Sequence, residues 1–455
     1  VIARTVTGSV VDRLGLHLDP VAGADATALL GVALRRNPLR AHLLVSRVLG
    51  KHLPSDPRLV RGAGLLLGLL VADALAGREP RPLPAAELAA GAGGDRAAAA
   101  ALHAAAVPEA PTDALVLGFA ETATALGHCV AEALTADYLH STRRAVPGVR
   151  AFGGFSEEHS HATAHSLLPL DPELLRGDRP LVLVDDELTT GRTALNTIAA
   201  LHALVPRERY VLACLVDARP HDSAMVEEVG ALGARLDVVS LSRVAVELPA
   251  DVIARAGGLR TEVDRRSERP VRGGAADPAA NGQAPLDVRA MGWPPELAVG
   301  GRHGFAAAEH ARFAAAVAGP AATGLELDPA ERTLVLGTEE LMHLPLRLAQ
   351  SLADTGCDVA FSTTTRSPAV VVDEPDYALR SGIVFAAHDD PADGPGRRYA
   401  YNIAHPATVA EIPADPVWDR IVVVADPPAD TPALRSGLLR ALSPHTRRTT
   451  LVVTP

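Results

Sequence analysis

Between residues 112 and 217, short apolar runs rich in Val, Leu and Ala alternate with stretches whose apolar positions recur at helical spacing. The runs at 114–118, 138–141, 181–184 and 210–217 predict strands, and the periodicity at 120–134 and 193–204 predicts helices. Strands that alternate with helices build a parallel sheet covered on its faces. Ligands of such sheets sit at the carboxyl ends of the strands. Chemistry is therefore expected just after Leu117, Ser141 and Val184.

Upstream, the most apolar stretch covers residues 62–77 and contains Asp73. It falls short of the roughly twenty apolar residues of a membrane span and predicts a buried helix. Residues 37–54 (NPLRAHLLVSRVLGKHLP) place Leu43, Leu44, Val48 and Leu49 at helical spacing, with Arg40, Arg47 and Lys51 on other faces, which predicts a helix with a solvated basic side. Periodicity fades over 78–111 and over 265–287, two Gly- and Pro-rich stretches. The second is the expected boundary, which divides the chain into domains at 1–264 and 291–455 joined by a linker at 265–290.

The segment LVLVDDELTTGRTALNTI, residues 181–198, combines an apolar strand, two acids, a small polar loop and an amphipathic helix. Backbone N–H groups at a helix N-terminus form a concave anion site, here over 189–193, where the hydroxyls of Thr189, Thr190 and Thr193 add donors beside Arg192. Gly191 allows a tight turn and a close approach to an anion. Asp185 and Asp186 stand at the strand end, where carboxylates accept hydrogen bonds from sugar hydroxyls or orient a hydrated metal. Strand alternation aims them in different directions.

These residues fit the hydrophobic-DD-x-x-T-T-G-x-T fingerprint of class I phosphoribosyltransferases, which the segment resembles. Together with NPLRAHLLVSRVLGKHLP (37–54), LVLGFAETATALG (115–127), YLHSTRR (138–144) and GFSEEHSHATAH (154–165), the chain looks like the phosphoribosyltransferase of tellurium-resistance-type stress gene clusters, followed by a C-terminal TRSP domain. The resemblance implies an α/β fold: a class I phosphoribosyltransferase-like parallel sheet flanked by helices, with a smaller hood. It also implies phosphoribosyl pyrophosphate as substrate, Mg²⁺ as cofactor held near Asp185 and Asp186, and an unidentified base-like acceptor, with a homodimer as a candidate assembly.

By its place in the resemblance, the turn with Ala120, Glu121 and Thr122 is the pyrophosphate loop, and Arg143 and Arg144 after the second strand are the guanidiniums that would grip the departing pyrophosphate. The His-rich stretch at 155–165 carries His159, His161 and His165 beside Glu157 and Glu158. A lid, a metal site and a plain surface loop all stay open for it.

Composition narrows the function classes. A formal charge of −11 argues against a nucleic-acid backbone as the main partner. Aromatic residues are only 3% of the chain, so the core must be built from Ala, Val and Leu. Three widely spaced cysteines without metal-ligand spacing, and an N-terminal stretch unlike a secretory signal, suit a cytoplasmic protein.

The second half repeats part of the first. TLVLG at 333–337 parallels 114–118, and FSTTTR at 361–366 parallels LHSTRR, with Ser362 set against Ser141. Residues 420–442 then stand where the phosphate loop should be, with Asp426 against Asp186 and Pro432 against Arg192. Pro427, Pro428 and Pro432 remove backbone donors from that loop. A second α/β domain that is a degenerate repeat is expected, with matching strand order and no second phosphate cradle. Two readings remain for the whole chain: transfer of ribose 5-phosphate, or a regulatory module that senses phosphoribosyl pyrophosphate without turnover.

Overall fold

The computed structural model describes residues 10–144, 146, 148–156, 164–267, 285–288, 292–321, 324, 325, 327–388, 396–406 and 415–455. The first half opens with β1 (His17–Gly23), the hairpin β2 (Leu30–Leu34) and β3 (His42–Ser46), and three helices, α1 (Pro57–Leu75), α2 (Ala85–Ala92) and α3 (Arg96–Ala105). Then follow β4 (Leu115–Gly118), α4 (Thr124–Leu134), β5 (Asp137–His140), the hairpin β6 (Gly153–Ser156) and β7 (Ala164–Leu167), β8 (Leu181–Leu188), α5 (Arg192–Leu204), β9 (Arg209–Asp217) and β10 (Arg235–Glu247). The sheet order is β1-β10-β9-β8-β4-β5. All neighbours are parallel except β1, which runs antiparallel along β10.

Helix α1 starts where Asp56 accepts the Arg58 N–H and Pro57 presets the first turn. It is buried along most of its length. A Cβ at Gly68 would lie 2.6 Å from the Ala133 Cβ, so the missing side chain lets α1 sit directly on α4. Asp73, which interrupts the apolar run, is held by Arg78 and Arg81.

Residues 37–54 correct the helical expectation. They form the turn and second strand of the β2–β3 hairpin, in register from Leu30↔Ser46 to Leu34↔His42. Asn37 closes the turn by accepting the Leu39 N–H on its side-chain oxygen. Residues 78–111, where periodicity fades, hold α2 and α3, the latter capped by Asp95.

The second half carries β11 (Leu286–Asp287), α6 (Glu309–Ala316), β12 (Thr333–Gly337), α7 (His343–Asp354), β13 (Val359–Thr363), the hairpin β14 (Gly382–Ala386) and β15 (Arg397–Tyr401), β16 (Trp418–Ala425) and β17 (Thr446–Val453). Its sheet is all parallel, in the order β11-β17-β16-β12-β13. From β13 inward this repeats β5-β4-β8-β9, and each half inserts a hairpin at the same point of its chain. Gly118 pairs with His140 and Val184, and Gly337 pairs with Thr363 and Val424. Asp426 is thus the counterpart of Asp186, as expected, but the partner of Ser141 is Thr364 rather than Ser362. Three consecutive threonines hid that two-residue slip.

The halves also trade edges. Residue 305 pairs with β5 through Tyr138 N–H to Phe305 O and Phe305 N–H to Tyr138 O, both 2.8 Å. Reciprocally, Ser55 and Phe361 exchange backbone bonds of 3.0 and 2.9 Å along β13. Helix α7 packs on α1 and α4, where Glu132 takes Arg61 from its own half and Arg347 from the other.

Candidate active site

The carboxyl ends of β4, β5 and β8 open on one cavity of about 210 Å³. Ala120, Glu121, Thr122, Arg143, Asp185, Asp186, Thr189, Thr190, Arg192 and Thr193 all line it. Strand β8 runs four residues past the predicted end, because the ladder with β9 continues through Asp185↔Cys214 to Leu188↔Asp217. The two acids therefore sit on strand backbone, half-buried, and the Asp186 N–H donates to Asp185 Oδ1 at 2.9 Å.

Beyond β8 the chain turns at Thr189 and Thr190 and enters α5 at Gly191, which has a φ of +73°. This left-handed conformation favours glycine. The helix start has no side-chain cap from Gly191, and the Arg192 N–H makes a long 3.4 Å bond to Thr190 Oγ1. Uncapped amides at a helix start suit an anion.

In the opposite turn the Ala120 N–H donates to Ser141 Oγ at 3.0 Å, so that amide serves the protein itself. The same Ser141 Oγ meets His165 Nδ1 at 2.8 Å, and Arg143 Nε donates to His165 Nε2 at 3.2 Å. A guanidinium can only donate, which puts the ring proton on Nδ1, facing Ser141. Of the remaining His-rich stretch, His159 and His161 lie outside the described residues. Among the described residues, no three His, Cys, Asp or Glu side chains gather as a metal cage.

Arg144 departs from the expectation. It turns away from the cavity, and its Nη1 lies 2.7 Å from Asp426 Oδ2 in the second half. A buried carboxylate without a cation costs several kcal/mol, and Asp426 supplies that demand.

Several lining residues were not read from the sequence as part of the site. The β2–β3 hairpin brings Arg35 and Arg40, and the segment after it brings Lys51. Lys51 is 2% exposed, with Nζ 3.8 Å from Glu121 Oε2. Burial lowers its pKa from the usual lysine value, and Glu121, Asp186 and Asp185 oppose that shift. Glu187 lies beside Asp186, and burial raises its carboxyl well above the ordinary range. Ser367 reaches the cavity from the second half. The basic run at 40–51 was the available signal for the lysine, but its burial depends on β13.

The cavity thus joins a phosphate-type loop, paired acids after an apolar strand and basic side chains from the β2–β3 hairpin and the segment after it. Residues 29–245 match the family model PRTase_2, described as phosphoribosyl transferase. The first half of the chain is similar to this family. Behind the PRTase_2 region, residues 299–442 match the TRSP domain found C-terminal to PRTase_2. Among solved structures similar to this chain is the Giardia lamblia APRTase complexed with 9-deazaadenine, 18% identical, covering 48% of this chain and 96% of that one, with a TM-score of 0.27. The orotate phosphoribosyltransferase from Aeropyrum pernix is 19% identical over 51% of this chain and 94% of its own, with a TM-score of 0.25. An adenine phosphoribosyl transferase from Trypanosoma brucei, in complex with AMP, pyrophosphate and ribose-5-phosphate, is 14% identical over 29% of this chain, with a TM-score of 0.21. The chain spans 57% of the length of that last protein. No curated protein matches it.

Proposed function

We propose that this cavity binds phosphoribosyl pyrophosphate and transfers ribose 5-phosphate to a nitrogenous, base-like acceptor, with pyrophosphate leaving. The observation that carries the reading is the meeting of the 189–193 loop, the acid pair and the Lys51–Glu121 pair around a single cavity. The amides and hydroxyls of 189–193 hold the 5′-phosphate. Asp185 and Asp186 accept hydrogen bonds from the ribose hydroxyls and fix the ring for attack at its anomeric carbon. Lys51 and Arg143 face the leaving pyrophosphate and stabilise the charge that grows on it. Arg35 and Arg40 add positive charge from the hood. The acceptor nitrogen is the nucleophile, so the protein acts by positioning and electrostatics.

The hard oxygen donors of Asp185 and Asp186 fit Mg²⁺, which is commonly held by one or two carboxylates together with substrate phosphates. When bound it would offset the negative charge of the pyrophosphate group. The division of the chain into two domains within 265–290 belongs to the same proposal, with β11 on the side of the second sheet and catalysis in the first domain.

A screen of free bases and metabolite extracts for pyrophosphate release, with phosphoribosyl pyrophosphate and Mg²⁺ supplied, tests the reading. Release that depends on one acceptor and disappears in the Asp186→Asn protein is the expected result. Tight binding of the sugar phosphate with no release for any acceptor would replace the transferase with a sensing module.

A further inference from the structure

The two halves share contacts that fix the equivalence of their residues. The Ala120 N–H donates to Ser141 Oγ at 3.0 Å, and the Glu339 N–H donates to Thr364 Oγ1 at 3.1 Å. Ser141 and Thr364 donate their own N–H groups to Gly118 O and Gly337 O, each at 3.0 Å. Counting from these anchors, Glu121 corresponds to Glu340, Arg143 to Arg366, and Arg144 to Ser367.

The equivalent residues reach across to each other. Arg143 N–H donates to Glu340 Oε1 at 2.9 Å, and Arg366 N–H donates to Glu121 Oε2 at 3.4 Å. Arg366 Nε also lies 2.7 Å from Glu121 Oε1 and 2.9 Å from Glu339 Oε2. Each half therefore holds the acid in the other's strand-end turn. The next position breaks the symmetry. In the second half, Arg144 pairs with Asp426 at the strand end and Arg302 joins from 3.7 Å, beside a cavity of about 320 Å³ that Glu340 and Asp426 line. In the first half the corresponding residue is Ser367, which lines the cavity beside Asp186 without a long or charged side chain.

We propose that the second half is a built-in partner of the catalytic site, in which Arg366 positions Glu121 and Ser367 leaves vacant beside Asp186 the place that Arg144 takes beside Asp426 in the opposite half. Glu121 also faces Lys51, so a fixed Glu121 holds the lysine that meets the pyrophosphate. Arg366 is a positioning residue and acts through Glu121. Ser367 sets whether the cavity admits an anion at all. The inference rests on the phosphoribosyl pyrophosphate reading above and assigns the second half a part in it.

The experiment is calorimetric titration of the full chain with phosphoribosyl pyrophosphate and Mg²⁺, alongside thermal melting. Ser367→Arg is expected to keep the wild-type melting temperature and to lose at least about tenfold in affinity, because the new guanidinium pairs with Asp186 and occupies the cavity. Arg366→Gln is expected to weaken binding in the wild-type background and to add nothing in the E121Q background, since its effect passes through that carboxylate. A merely structural arginine would weaken both alike. Wild-type affinity in a well-folded S367R protein, or equal losses from Arg366→Gln in both backgrounds, overturns the proposal while the substrate reading stands. Should S367R melt early, the Arg366 comparison decides alone. A wild-type chain that binds no phosphoribosyl pyrophosphate overturns the substrate reading and this inference together.

Discussion

Two sheets with the same central strand order hold the acids at their strand ends differently. In the first half the acids, Lys51, Arg35 and Arg40 line a cavity, and the helix after the phosphate-type loop has no side-chain cap. In the second half, Glu340 is 3% exposed and is gripped by Thr142 Oγ1 at 2.7 Å, the Arg143 N–H at 2.9 Å and Arg302 Nη2 at 3.1 Å. Asp426 has Arg144. The loop that follows is a short 3-10 turn over Pro427–Ala429, and the next helix begins at Pro432 behind Thr431, whose hydroxyl accepts the Leu434 N–H. Proline lacks an N–H. Asp185 and Asp186 thus face a cavity lined with basic side chains, while Glu340 and one oxygen of Asp426 are held by arginines.

The sharpest break of this comparison is Glu340→Ala. Removing one member of a buried ion network strands the others, at a cost of about 3–5 kcal/mol, and urea unfolding should register it. Asp186→Ala, at an open strand end, should change stability by no more than about 0.5 kcal/mol. Equal losses would mean that the two ends are electrostatically alike.

Acid titration sharpens the same contrast. Burial alone would raise the Glu340 carboxyl, but Arg302, His140 and Arg144 outweigh it and bring its pKa from 4.5 down to about 2. A group that titrates lower in the folded state contributes its full stabilisation above the unfolded value near 4.5, and loses it as pH falls towards 2. The total is about 3 kcal/mol. The slope of stability against pH in that window should shrink in a Glu340→Gln protein.

At the open end, the effects should appear in ligand handling. Asp186→Asn is expected to lower turnover about tenfold to hundredfold in a protein that melts normally, through the loss of a charge-assisted contact of about 1.5–3 kcal/mol. Steady-state pyrophosphate release measures it, and an unchanged rate would move the role to Asp185. The smallest effect belongs to Thr190→Val, which removes one neutral hydroxyl from the phosphate loop. Affinity for the sugar phosphate should fall by about 0.5–1.5 kcal/mol, and calorimetry showing no change would take Thr190 out of the cradle.

The central strands β4, β5, β8 and β9 were legible because they are buried on both faces and read as continuous apolar runs. The hairpin β2–β3 was not. Its second strand is almost wholly buried, and neighbouring Leu43 and Leu44 satisfy a helical period as readily as a two-sided strand. The phosphate-type loop and acid pair could be read because all their members lie within 185–193. Lys51, Arg366 and Ser367 could not, since each reaches its place through pairing with a segment hundreds of residues away. Arg143 and Arg144 show the limit most plainly. Adjacent in sequence and alike in chemistry, they part company because Arg143 Nε meets His165 while Arg144 meets Asp426.

The traded edges constrain how the molecule can be made. During synthesis the first sheet is complete in its own strands before residue 305 exists, so the outer side of β5 must wait unpaired for a segment translated much later. An unsatisfied strand edge is a template for pairing with other chains, and partly finished domains are where nascent proteins go astray. The last native contacts here span very long stretches of chain, which makes their closure slow. Cellular yield of this protein should therefore be governed by chaperone protection of that waiting edge more than by the final stability of the assembled pair.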